Sequence, residues 1–102
     1  MALFISTSSP ENLLKLIKKA IDDKVVDTWE YDKDGDFTHI PPQWKNKAWL
    51  HPSVQTNILK FELIGRKNET LTKEIIGLYQ GRFIEMLLVH FVEKFTQVSA
   101  QK

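Results

Sequence analysis

Residues 29–39 read WEYDKDGDFTH, and the way this stretch folds decides what the chain on either side becomes. Three aspartates around Gly35 suit two structures, the start of a calcium loop or the tip of a hairpin. An EF-hand loop needs oxygen ligands at loop positions 1, 3 and 5, a glycine at 6 and a bidentate glutamate at 12. Counted from Asp32, the glycine position is Phe37 and the glutamate position is Gln43. Counted from Glu30, Gly35 falls correctly but the last position is Pro41, which has no carboxylate. The flanks are rich in β-branched and aromatic residues, as strands are and EF-hand helices are not. The stretch is therefore read as a hairpin, with no metal site.

A hairpin fixes a register. With Lys33-Asp34-Gly35 as a three-residue loop and Gly35 in the left-handed region, Asp32 faces Asp36, Tyr31 faces Phe37, Glu30 faces Thr38 and Trp29 faces His39. Opposed side chains share a face of the sheet. One face then carries Trp29, Tyr31, Phe37 and His39, and the other Thr28, Glu30 and Thr38. A slip of one residue would scramble that separation.

Before the hairpin, ALFIS (residues 2–6) is short and apolar and reads as a strand. Ser9 followed by Pro10 is a helix start, a capping side chain and then a proline where its missing N–H costs nothing. Leu13, Leu16, Ile17, Ala20 and Ile21 recur at helical spacing with Lys15, Lys18 and Lys19 on the other side, which predicts an amphipathic helix over residues 10–23. After the hairpin, PPQWKNK breaks the pattern. AWLH is expected to be a strand ended by Pro52, and ILKFELIGR alternates cleanly with Leu59, Phe61 and Leu63 on one face. Thr70 or Thr72 caps a final helix expected to reach about Val98, with the closing residues frayed. The order β-α-β-β-β-β-α predicts an α+β fold: an antiparallel or mixed sheet of about four to five strands, with an N-terminal helix and a long C-terminal helix packed on one face.

The final helix has two apolar faces. Gly77, Gly81, Ile84, Leu88, Phe91 and Phe95 form a seam that begins with two residues small enough for close backbone approach. Leu71, Ile75, Leu78, Tyr79, Met86 and Val89 lie nearly opposite, interrupted by Arg82. A helix lying on a sheet needs one such face. The second is expected to meet either the first helix or another chain.

The 102 residues, with 42% hydrophobic and 26% charged, suit a single domain over 1–102. A net charge of +1 gives no strong field to draw nucleic acid. Cysteine is absent, so the fold must rest on its core or on a partner chain, and a reducing cytoplasm is expected. The opening MALFISTSSPEN lacks the basic start of a secretory signal. The longest apolar run elsewhere, Met86 to Val89, is too short to suggest a membrane span.

Chemistry is sparse. No phosphate-binding glycine loop, metal-ligand spacing or cysteine nucleophile is present, and no cofactor or small-molecule substrate is implied. The leading expectation is a soluble, non-enzymatic protein–protein interaction module of the adaptor, inhibitor or immunity type. It would self-associate through the long helix, with Ile75, Leu78, Tyr79, Arg82, Met86 and Trp44 at the interface. Single-stranded nucleic acid is an alternative partner, bound by Trp44, Lys45, Lys47 and Trp49 together with Lys15, Lys18 and Lys19. An enzyme built on His39, His90, Arg82 and Glu85 is a second alternative.

Overall fold

A computed structural model describes residues 1–101. The expected hairpin is present in the expected register. Strands β2 (Trp29–Tyr31) and β3 (Phe37–His39) pair antiparallel, with Trp29 opposite His39, Glu30 opposite Thr38 and Tyr31 opposite Phe37. Gly35 adopts φ +82°, a conformation open to glycine at little cost. The Asp32 N–H donates to the Asp36 carbonyl at 3.0 Å, and the Asp32 carboxylate accepts the N–H groups of Asp34 and Asp36 at 3.0 Å each. Asp36 in turn lies 2.6 Å from Nδ1 of His51. Two of the three aspartates are thus engaged in holding the turn and its neighbouring strand.

Six strands, not four or five, form one sheet in the order β2-β3-β4-β5-β1-β6, every pairing antiparallel. The others are β1 (Ala2–Ser6), β4 (Ala48–Gln55), β5 (Ile58–Gly65) and β6 (Gln97–Gln101). The extra strand, β6, comes from the residues expected to be helical and frayed. Helix α2 (Lys73–Phe91) stops short of the expected Val98, passes through a single 3-10 turn at Val92–Lys94, and gives way to β6. The reason lies in pairing: β6 satisfies the free side of β1, with Val98 opposite Ile5 on the inner face. Val98 packs on the core there, a contact that continued helix would forgo.

Strand β4 continues through Pro52 to Gln55 instead of ending at Pro52. Strand β3 meets β4 at Phe37 and Leu50, so by Pro52 one side of β4 is a sheet edge, where a residue without an N–H is tolerated. The β4–β5 turn is the dipeptide Thr56-Asn57, Asn57 standing at φ 59°.

Helix α1 (Pro10–Asp22) matches its expected span to within one residue. Ser9 sits at its N-cap position, but its side chain makes no capping bond; its backbone N–H instead donates to Thr7 Oγ1 at 3.3 Å. Thr72 caps α2, accepting the Ile75 N–H at 3.2 Å.

Both helices bury one stripe in a single core on one face of the sheet: Leu13, Ile17 and Ile21 from α1, and Tyr79, Phe83, Leu87 and Phe91 from α2. Phe83 is central, its ring 4.6 Å from that of Phe61 and 5.0 Å from that of Trp29, edge to face with the latter. Each large side chain sealed this way contributes about 1.5–3 kcal/mol. The opposite face of the sheet remains open, as antiparallel sheets permit. Trp49, Ile64 and Phe4 lie there, with Lys60 Nζ 5.6 Å over the Phe4 ring.

Candidate functional site

The aromatic face set by the hairpin and the buried stripe of α2 meet directly. Trp29, Phe37 and His39 are buried beneath α2, while Tyr31 sits at the margin, donating to the Asp22 carboxylate at 2.7 Å with Lys18 over its ring. Tyr79 packs edge to face on Trp29. Its hydroxyl donates to the Trp44 carbonyl and lies 3.0 Å from the Thr38 hydroxyl. Thr38 also reaches the Ala48 carbonyl and accepts the Asn46 N–H. The loop over Pro41–Lys47 is therefore fastened to α2 and to β3 through a buried polar knot.

This corrects the expected interface. Tyr79 and Met86, expected at the interface, are both buried. Trp44 is half-buried against the core, and Ile75 and Leu78 are half-buried beside it. Only Arg82 of that group is fully outward. The helix is rotated so that Tyr79, Phe83 and Leu87 take the sheet, because those positions face Trp29, Phe37 and Phe61. What remains outside is part of the other seam, Gly77, Gly81 and Leu88; against expectation Phe91 is buried, and Ile84 and Phe95 are half-buried against the core. Gly77 and Gly81 are exposed, and a methyl group added to either would meet nothing within 4 Å. Beyond them, Leu88 is 49%, Val92 56% and the adjacent Val89 68% exposed. By length and composition the segment Lys73–Lys94 would pass for a membrane span, yet one of its sides is sealed in the core.

The nucleic-acid residues are dispersed. Trp44 lines a cavity beside α2, whereas Trp49 lines a different one with Tyr31 and Arg66. Lys45 lies 3.4 Å from Glu30 and Lys19 2.7 Å from Asp23, each in an ion pair. Lys15 borders a polar groove between the start of α1 and the β4–β5 turn.

Three of the four residues of the expected acid–base cluster do come together. His39, Arg82 and Glu85 line a cavity of about 270 Å³ with Trp44, Pro41 and Gln43. His90, the fourth, is exposed on α2 with its ring beside that of Phe91, and does not line the cavity. His39 is only 5% exposed and its Nδ1 has no hydrogen-bond partner among the described residues. Burial pushes its pKa below the ordinary value, the Thr28 backbone offsets part of this, and Arg82 lowers it further while Glu85 raises it. The ring is therefore neutral at pH 7. Arg82 and Glu85 touch at 3.3 Å on the helix surface. Pro41 and Gln43 escaped the sequence reading because nothing local ties the loop to a histidine on β3 or to charges on α2.

Comparison with family models, with curated proteins and with solved structures finds no match for this chain.

Proposed function

We propose that the protein is a non-enzymatic interaction module that pairs with a second copy of itself through α2. The observation that carries this is the outward row Gly77, Gly81 and Leu88, continued by Val92 in the 3-10 turn and bordered by the half-buried Ile84. Its two helix-interior glycines have open space around them, and each costs about 1 kcal/mol of helix stability relative to alanine. Nothing in the folded monomer uses their smallness. A close helix neighbour would.

The order of residues along the seam favours an antiparallel pair. Two copies of α2 related by a two-fold axis near Ile84 and Glu85 place Gly81 of one opposite Leu88 of the other, and Gly77 opposite Val92. Small meets large at both ends, and the same patch serves both copies, as a two-fold interface requires. Parallel packing would set Leu88 against Leu88 and leave the glycines facing each other across a gap. Arg82, Glu85 and Glu93 border the seam and supply a polar rim. A cytoplasmic setting suits the absence of cysteine and belongs to the same proposal.

Sedimentation equilibrium across the micromolar range tests it. A concentration-dependent dimer that becomes monomeric in Leu88→Glu, and also in Gly81→Leu, is the expected result. A wild-type protein that remains monomeric throughout overturns the reading. So does a dimer that survives both substitutions.

A further inference from the structure

The cavity beside α2 is lined by Thr28, His39 and the loop residues Pro41, Gln43 and Trp44, and shares Arg82 and Glu85 with the border of the seam. We propose that it binds a free α-amino acid with a compact apolar or aromatic side chain, with Arg82 taking the carboxylate, Glu85 the ammonium group and Trp44 the side chain.

Charge balance is the first argument. The charged groups lining the cavity are one guanidinium and one carboxylate, since the buried His39 ring is uncharged. A ligand with a net charge of either sign would meet one favourable and one opposing group. A zwitterion meets two favourable ones. Arg82 and Glu85 stand one helical turn apart and already touch, so their charged ends are as close together as the two ends of an amino acid's backbone.

Their mutual contact is also weak enough to exchange. The nitrogen–oxygen distances are 3.3 and 3.4 Å, longer than the 2.7–2.9 Å typical of a charge-assisted bond. Both side chains are more than half exposed, 53% and 61%, where such a pair is worth at most about 1 kcal/mol. A ligand that replaces one loose pair by two directed pairs loses little and gains twice.

Size and polarity set the rest. A volume of about 270 Å³ falls just below the range of about 300–1,000 Å³ of pockets for drug-sized ligands, which suits a single residue rather than a peptide. Trp44 and Pro41 are the apolar residues of the lining. The Trp44 backbone is held at its carbonyl by the Tyr79 hydroxyl and the Lys47 N–H, and the residue packs against the core. His39 also borders the cavity, but its unpartnered Nδ1 is itself buried and does not face a ligand there.

The test titrates the full chain with L-phenylalanine, phenethylamine and 3-phenylpropionate, following tryptophan fluorescence. L-Phenylalanine is expected to give a saturable change that is lost in Trp44→Phe. The amine and the acid, each lacking one charge, are expected to bind up to about fivefold more weakly, as the loss of one exposed ion pair implies. Arg82→Gln should weaken L-phenylalanine and 3-phenylpropionate but not phenethylamine, and Glu85→Gln should do the reverse for the two analogues. Both variants alter exposed side chains, and circular dichroism checks that they fold. No saturable response to L-phenylalanine up to about 10 mM overturns the proposal, as does equal binding of either singly charged analogue. Self-association is read separately by sedimentation of Leu88→Glu, which leaves the cavity lining unchanged, so failure of one leaves the other standing.

Discussion

The hydroxyl of Tyr79 on α2 donates to the backbone carbonyl of Trp44, thirty-five residues earlier in the chain. This bond fastens the proline-rich loop, whose Pro41, Gln43 and Trp44 line the cavity, to the long helix. Proton accounting shows how tightly the knot is drawn. The Tyr79 hydrogen goes to Trp44, so the contact with Thr38 must use the Thr38 hydrogen, which the Ala48 carbonyl also attracts. Tyr79→Phe removes one of two donors to the Trp44 carbonyl, the Lys47 N–H at 3.1 Å remaining, and takes a partner from the Thr38 hydroxyl. The expected cost is about 0.5–1.5 kcal/mol in urea denaturation, with faster amide exchange at Trp44 and Lys45 than elsewhere in the protein.

Phe83 is the ring on which the sheet and α2 converge, lying against Trp29, Phe37 and Phe61. Phe83→Ala should destabilise the fold by about 3–5 kcal/mol, whereas Val89→Ala, at an exposed position on the same helix, should change stability by less than about 0.5 kcal/mol. The contrast, measured by chemical denaturation, reads out which way α2 faces.

That orientation is the part of the fold the sequence left open. The hairpin register was legible in residues 29–39 because it is local: a turn residue and an aromatic alternation fix each other within eleven positions. The face of α2 was not, since the Tyr79 side and the Gly77/Leu88 side carry comparable apolar surface. The choice between them is made by Trp29, Phe37 and Phe61, which lie distant in the chain. Strand β6 was illegible for a related reason. Gln97 to Gln101 alternates polar residues only with Val98 and the small Ala100, too weak a signal to mark a strand alone, and it becomes one because β1 offers it a partner. The cavity was half visible: His39, Arg82 and Glu85 could be grouped by residue type, but only the fold separates them from His90.

Val98 gives a direct probe of β6. On a frayed helical end, Val98→Asp would be nearly neutral. Packed on the core opposite Ile5, the same change should cost about 1–3 kcal/mol, measured by urea denaturation.

His39 makes stability depend on pH. Its folded-state pKa is depressed, chiefly by burial, from the ordinary value of about 6.5. Below that value the unfolded chain takes up a proton that the folded one resists, so the unfolded state binds more protons and stability rises with pH. The contribution is complete above about pH 6.5 and is lost as pH falls toward the folded pKa. Denaturation midpoints recorded between pH 8 and pH 5 should fall on the acid side, and His39→Gln should flatten that limb even if it lowers the midpoint throughout.

Gly81→Ala separates the monomer from the pair. At concentrations where the chain is monomeric, alanine should add about 0.5–1 kcal/mol, because its methyl group enters empty space on a helix surface. Under self-associating conditions the same methyl group should weaken the dimer, seen as a rise in its dissociation constant by sedimentation.

Strand β1 has one more consequence, and it concerns time. Residues 2–6 lie between β5 and β6, so both flanks of the strand are made by distant segments; the Thr96 N–H that donates to Ser6 is ninety residues away. Pairings that close such long loops incur their entropy before they return any contact energy, and topologies rich in them fold slowly, in milliseconds to seconds. Contacts of β1 should therefore form after the rate-limiting step, so that Leu3→Ala hastens unfolding while leaving the refolding rate nearly unchanged. The lifetime of the folded molecule is then governed at its first strand.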